Sequence, residues 1–364
     1  MTTTTTTELD AREVLAGRLV DGLTQAMELF GVYLGVELGL YRALAEHRES
    51  SSAELAAATG TAERYAREWL EQQAVAGILE VDDVEADAAE RRFSLPAAHA
   101  EVLSDRESLA HVTPLARLGV AFAHVLPAVE EAFRSGGGVS WEAYGRLGRE
   151  AQGDANRPVF SNLLGAEWLP SIADVHERLV SDPPARVADV ACGAGWSSIA
   201  IARAYPNVTV DGLDLDEASV ELARANLAGT GVEDRVSFQH RDAGDSELAG
   251  AYQLVTVFEA LHDMSRPVDV LRALRSLVAD DGAVLVMDER VADSFTAPGD
   301  EIERLMYTYS ILCCLPVGLA DSPSAGTGTV MRADTVRRYA SEAGFADVEV
   351  LPIEHDFFRL YRLR

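Results

Sequence analysis

Lysine is absent from this chain. All 31 basic residues are arginine, set against 59 aspartates and glutamates, for a formal net charge of -28. A surface this acidic repels nucleic acid and anionic membrane and stays soluble at high ionic strength. The lack of lysine fits either a salt-adapted surface or a biased genome. Cysteine is scarce as well: Cys192, Cys313 and Cys314 have no metal-ligand spacing and form no even disulfide framework. No metal centre is therefore expected, and a reducing, cytoplasmic setting is. No run approaches the roughly 18 apolar residues of a membrane span. The opening MTTTTTTELD lacks the basic and apolar regions of a signal peptide, so residues 1–10 are expected to form a disordered tail.

What is present suffices for two domains: 364 residues, 48% of them hydrophobic, promise a sizeable core. The organising stretch is Val187–Ser198, VADVACGAGWSS, an apolar strand running into a Gly193-Ala194-Gly195 turn and then a helix. Glycine at those positions lets the backbone turn tightly and approach a ligand. About 20 residues on, VTVDGLDLD ends a second strand near Asp214, within reach of a ribose diol. A dinucleotide fingerprint would need a third glycine where Ser198 stands. Asp189 also brings negative charge to the loop, which disfavours a pyrophosphate and favours a cationic amine. These features suit S-adenosylmethionine, which has a ribose, an α-amino group, a sulfonium and no phosphate.

DVACGAGWSS, DGLDLD and RVSFQHRDAGD resemble the first three motifs of class I S-adenosylmethionine-dependent methyltransferases, over roughly residues 140–364. The resemblance implies an α/β fold: a Rossmann-like seven-stranded sheet ending in a C-terminal antiparallel hairpin. It implies Asp189 near the methionine amino group, Gly193 and Gly195 along the methionine, Asp214 on the ribose hydroxyls and Asp242-Ala243 at the adenine. Leu215 and Phe258 complete the expected cofactor set.

Residues 11–105 read as an N-terminal helical winged-helix and dimerisation domain. A helix from Ala11 to about His47 is interrupted by glycines at 31, 35 and 39, and its apolar excess calls for a partner, hence a homodimer. Two more helices follow, SSAELAAATG and TAERYAREWLEQQAV, then two strands within ILEVDDVEADAAERRFSLP. The candidate recognition helix mixes Glu63, Glu68 and Glu71 with Arg64 and Arg67, a poor phosphate collector, so DNA binding is not expected. The same order precedes the catalytic domain in plant-type O-methyltransferases and related bacterial small-molecule enzymes.

Residues 106–180 read as a helical linker and lid, with Trp141, Tyr144, Asn156, Phe160 and Trp168 as wall candidates; ordinary packing is the alternative. The cofactor-binding domain is expected over 181–364. Within it, Leu261-His262-Asp263 resembles the Leu-His-Asp at which plant-type O-methyltransferases carry their base, and Glu289 the acidic residue that orients it. A histidine titrates in the range suited to deprotonating a hydroxyl. Met264 and Arg266 depart from that pattern, and SAGTGTVMRADT is not expected to supply the other flanking carboxylate. The apolar helix MYTYSILCCL, with Tyr307, is expected to line the cavity of a small-molecule methyl acceptor. Cys313 and Cys314 read there as small buried residues, with a thiol site for a soft metalloid as the sharper alternative.

Overall fold

The computed structural model describes residues 4–364, with side chains from residue 10 onward. The chain divides into two compact units, Met1–Val120 and Ala121–Arg364. Part of the expected disordered tail, residues 1–3, lies outside the described residues. From Thr4 the chain is already helical, because nothing in residues 4–10 interrupts a helix that continues to Glu37.

That first helix also runs through two of the three glycines expected to break it. At Gly35 a Cβ would lie 2.4 Å from the Tyr41 ring and 2.6 Å from the Trp69 ring, and the Trp69 indole N–H donates to the Gly31 carbonyl at 2.9 Å. Gly35 thus admits Tyr41 and Trp69 against the helix backbone, and Gly31, where a Cβ would lie 2.7 Å from Gln72 Oε1, admits the Gln72 and Gln73 side chains. Only Gly39, with φ 68, ends the run. Helices Ser52–Thr59 and Glu63–Val75 follow, the former opened by a Ser51–Glu54 capping box and closed by left-handed Gly60. Strands β1 (Glu80–Val81) and β2 (Phe93–Ser94) pair antiparallel. Leu40, Tyr41, Leu44, Leu55, Leu70 and Phe93 form the core of this unit. On helix Glu63–Val75, Arg64 pairs with Glu68 and Arg67 with Glu63, so both cations are neutralised locally.

The second unit holds a seven-stranded sheet: β3 (Arg186–Val190), β4 (Thr209–Asp214), β5 (Val236–His240), β6 (Tyr252–Phe258), β7 (Val278–Glu289), β8 (Val348–Val350) and β9 (Phe358–Leu363). Their order is β5-β4-β3-β6-β7-β9-β8. The first five are parallel, and β9 runs antiparallel to both β7 and β8. This is the expected α/β sheet with its antiparallel end. Side chains alternate across it: Val187, Leu254 and Leu285 join one core, Ala188, Val255 and Val284 the other. Sheets buried on both faces need such continuous apolar strands. The order reverses between β3 and β6, the point at which open α/β sheets bind ligands. Among the described residues no helix is long and apolar enough to cross a membrane.

The two classes of glycine in the first helix respond oppositely to a methyl group. Gly35→Ala should destabilise the first unit by about 1–3 kcal/mol through overpacking against Tyr41 and Trp69. Gly17→Ala, where a Cβ meets nothing within 4 Å, should stabilise it by up to about 1 kcal/mol through helix propensity. Urea unfolding followed by circular dichroism reads both, and equal effects at the two positions would refute the packing account.

Candidate functional site

Strand β3 delivers its chain end into a turn that only small residues can make. Ala191, Gly193 and Gly195 have φ of 56, 51 and 81, and helix Trp196–Ala204 starts directly behind them. A Cβ on Gly195 would sit 2.4 Å from the Phe238 ring, so that glycine is required by packing. A Cβ on Gly193 would meet no protein atom within 4 Å. Glycine is called for at 193 by the left-handed backbone, and the space beside it is open. The Gly193 N–H donates to Asp214 Oδ2 at 2.9 Å and the Asp216 N–H to Oδ1 at 2.8 Å. Burial raises the Asp214 pKa, against these two backbone donors, and each oxygen keeps a lone pair for a further donor.

The other expected cofactor residues lie at the same sheet edge. Leu215, next to Asp214, is 68% exposed, unusual for a leucine beside a buried carboxylate. Asp242 is exposed beyond β5 and accepts from the Gly244 N–H at 2.8 Å, while Ala243 packs on the second core. Phe258 ends β6 and tilts over Phe160 at 5.8 Å. Asp189 is different. It is 1% exposed and accepts from the hydroxyls of Ser197, Ser198 and Thr256 at 2.6, 2.6 and 2.8 Å. Its carboxylate braces the turn's helix to β6, and burial raises its pKa against those three donors.

Helix Gly145–Val159 lies against the turn. A Cβ on its Gly153 would approach Ala194 Cβ to 2.4 Å, and Arg157 stacks over Trp196 at 4.1 Å. Arg149 grips Asp216 with two guanidinium nitrogens, Nη2 at 2.9 Å from Oδ1, and Asp216 caps helix Glu217–Leu227. Burial would raise the Asp216 pKa, but Arg149 and Ser219 hold it below the ordinary value. Ahead of this helix, Tyr144 stacks on Trp141 at 5.6 Å, and its hydroxyl donates to the Leu312 carbonyl at 2.8 Å. Phe122 stands edge-on to both Tyr144 and Tyr309. Tyr307 is 38% exposed and edge-on to Phe295. Phe160 and Trp168 are buried in the first sheet core, Trp168 edge-on to His355, and packing accounts for both.

Beyond β6, Leu261–Asp263 form a single turn that buries His262 to 3% exposure. Its Nδ1 lies 2.8 Å from Asp288 Oδ1 and 3.0 Å from Glu289 Oε2. Carboxylates only accept, so Nδ1 carries the proton and Nε2 is the accepting nitrogen of the neutral ring. The expected orienting residue was Glu289, yet the hydrogen bond goes to Asp288. The one carboxylate of residues 324–335, Asp334, is exposed and pairs with Arg337, and the second carboxylate beside His262 comes from the adjacent position of β7. Burial opposes a charge on His262, but Asp288 and Glu289 outweigh it and raise the imidazole pKa. Burial and the Asp288 charge drive Glu289 well up. Burial also opposes the Asp288 charge, which the imidazolium and the Glu289 N–H sustain below the ordinary value. Asp288 Oδ2 and Glu289 Oε2 have no hydrogen-bond partner. Ligand atoms of His262, Asp288 and Glu289 lie within 4.8 Å of one another, close enough for a metal ion, although the Nδ1 proton now fills that position.

Asp263, expected in the site, converges here with Glu259, which sequence reasoning did not single out, and with Cys313 and Cys314, which it read as small buried residues. Glu259 has a left-handed φ of 54 and a buried Oε2 with no hydrogen-bond partner. Burial pushes its pKa up to about 7, against the His262 charge and the nearby Asn156 amide. Burial likewise pushes Asp263 up to about 8. Cys313 and Cys314 sit on the π-helical turn Ser310–Cys314, Cys313 buried and Cys314 half-buried.

The chain matches two known families. Residues 181–315 match the methyltransferase domain family, and residues 26–105 match the Rv2258c-like winged HTH domain. A ubiquinone biosynthesis O-methyltransferase of Bordetella avium is 37% identical over 127 residues, 34% of this chain and 48% of that protein. The chain thus spans about half the length of that curated relative. The solved mitomycin 7-O-methyltransferase MmcR superposes with TM-score 0.66 at 21% identity, over 98% of this chain and 99% of that one. Human N-acetylserotonin methyltransferase, in complex with SAM, gives 0.69 at 18% identity over 96% and 97%. At these identities the likeness establishes the shared fold.

The Arg149–Asp216 clamp has a pH signature. The Asp216 pKa is depressed in the folded chain, so its stabilisation is present above the unfolded aspartate value of about 3.9 and is lost as pH falls through the lower folded value. Arg149→Met should therefore destabilise the second unit by about 1.5–3 kcal/mol at pH 7 and by much less near pH 2.5. Denaturant midpoints at the two pH values measure the difference; a pH-independent loss would assign Arg149 to packing.

Proposed function

Because residues 181–315 carry a methyltransferase domain and residues 26–105 a winged helix-turn-helix domain, we propose that this chain is an S-adenosylmethionine-dependent methyltransferase. Its substrate is the hydroxyl of a small, largely apolar molecule, and His262 is the general base. The observation that carries the reading is the alignment of two devices on adjacent strand ends. One is a glycine turn with a backbone-anchored Asp214, the other an imidazole held between Asp288 and Glu289.

S-adenosylmethionine supplies an electrophilic methyl group on sulfur. The chain's own residues do the rest. Asp214, already fixed by two N–H donors, accepts the ribose hydroxyls, and Gly193 leaves room for the methionine. Leu215, Asp242 and Ala243 border the adenine, and the Arg149 clamp keeps helix Gly145–Val159 over the turn. His262 takes the acceptor's proton on Nε2 while Asp288 holds Nδ1–H and steadies the imidazolium. Tyr144, bonded to the Leu312 carbonyl, and Trp141 stacked on it stand beside the segment Glu301–Cys314, which carries Tyr307 and on which a planar acceptor would rest. The relatives' O-methyl chemistry supports a hydroxyl acceptor.

His262→Ala should lower kcat by about 10²–10⁴-fold while the S-adenosylmethionine dissociation constant stays within a few-fold. Asp214→Ala should instead weaken cofactor binding by about 10- to 150-fold. Because the imidazole pKa is raised, kcat should climb with pH to a plateau above the ordinary histidine range. Calorimetry and a methyl-labelled cofactor with a panel of phenols supply the readouts. Absence of cofactor binding to the wild type ends the methyltransferase reading; wild-type turnover by His262→Ala across pH 6–9 ends the base assignment.

We also infer a homodimer built on the first helix. Leu15, Leu19, Leu23 and Met27 recur at four-residue spacing and are 55%, 66%, 58% and 58% exposed, an apolar stripe that calls for a cover. Light scattering should report twice 39.2 kDa, and a monomer persisting at high concentration would reject the dimer.

A further inference from the structure

The side chains around His262 carry more acid than the proposed methyl transfer requires. One carboxylate suffices to orient an imidazole, yet four carboxyls, those of Glu259, Asp263, Asp288 and Glu289, lie within electrostatic reach of this ring. Among the described residues none of the four forms an ion pair with an arginine; the ion pairs recorded for them are those of Asp288 and Glu289 with His262. The chain has 31 arginines and leaves this cluster without one. Asp288 and Glu289, 0% and 5% exposed, each keep an oxygen with no hydrogen-bond partner. Burying carboxyls in this way is costly unless a donor or a cation arrives to meet them.

Glu259 is the member best placed to meet it. It directly follows β6, and its backbone N–H donates to the Met287 carbonyl at 2.7 Å, which ties it to the neighbouring strand end. It stands three residues before His262, on the same side of the switch point. Asn156 of helix Gly145–Val159 lies near enough to its carboxyl to favour the charged form, and Tyr309 of the segment Glu301–Cys314 lies within its field. Its free oxygen, Oε2, is buried although the residue as a whole is half-buried. The carboxyl therefore points into the protein, among the groups around the proposed base.

We propose that the methyl acceptor carries a protonated amine in addition to its hydroxyl, and that Glu259 receives this amine while His262 addresses the hydroxyl. The inference rests on the methyltransferase reading above and narrows its substrate class. An ammonium satisfies the free Glu259 oxygen and offsets the excess of carboxyls. A carboxylate or phosphate at the same position would add a like charge to a buried acidic cluster. Glu259 acts as a specificity residue and takes no proton from the reacting hydroxyl.

Three matched phenols test the assignment: tyramine, uncharged tyrosol and 4-hydroxyphenylacetate, titrated calorimetrically into the full chain loaded with S-adenosylhomocysteine. Tyramine should bind about tenfold or more tighter than tyrosol, and 4-hydroxyphenylacetate weakest of the three. Glu259→Gln should bring tyramine and tyrosol to within about threefold while the S-adenosylhomocysteine dissociation constant stays within a few-fold. If that variant does not fold, Asn156→Leu, which removes the amide that favours the charged carboxyl, takes its place with the same expectation. Equal binding of the three phenols, binding of none of them, or a tyramine preference that survives Glu259→Gln overturns the proposal. Loss of S-adenosylhomocysteine binding in Glu259→Gln comparable to that in Asp214→Ala also overturns it, since Glu259 would then serve the cofactor. Failure of the wild type to bind S-adenosylhomocysteine is a different result, and it falls on the methyltransferase reading itself.

Discussion

The hydrogen bond from the Gly193 amide to the Asp214 carboxylate joins the ends of two adjacent parallel strands, and the rest of the second unit is arranged around it. It goes with a left-handed backbone at 193, a conformation that favours glycine. The same carboxylate holds the Asp216 amide. Asp216 in turn caps helix Glu217–Leu227 and takes the guanidinium of Arg149. One buried charge thus sets the turn after β3, the loop after β4 and the helix Gly145–Val159 in register. The Asp189 carboxylate, with its three hydroxyl donors, performs the same service on the other side of β3.

The acidic residues fall into two groups that behave differently. Asp189 and Asp214 are tied to fixed donors and act as struts. Glu259 and Asp288 retain oxygens without partners, and burial pushes the Asp263 pKa up to about 8. The first group is what a rigid ligand frame needs. The second is poised for chemistry or recognition, because perturbed carboxyls gather where a structure uses them.

Much of this was legible in the sequence, for reasons that are local. Continuous apolar runs such as LVTVF and AVLVM can only be strands buried on both faces. Glycines and acids at fixed distances after them mark the sheet's ligand edge. Legibility fails where partners are remote in sequence. Nothing in the run around Arg149 announces a bond to Asp216, 67 residues away, and nothing in FEALHD distinguishes Glu259 from a solvated loop residue. The choice of Asp288 over Glu289 depends on how strand β7 ends, which a pattern of residues does not encode. Gly31 and Gly35 do not break the first helix, because their purpose, room for Gln72, Gln73 and Trp69, lies on another helix.

The absence of lysine bears on when this site can work. As the proposed base, the ring of His262 is free to accept a proton only on the alkaline side of its raised pKa. Apart from His262 itself, the side-chain cations that brace this fold are guanidinium groups, Arg149 on Asp216 among them, and guanidinium stays charged beyond about pH 12. Raising the pH to ready the proposed base therefore leaves the clamps that hold the neighbouring turn fully ionised.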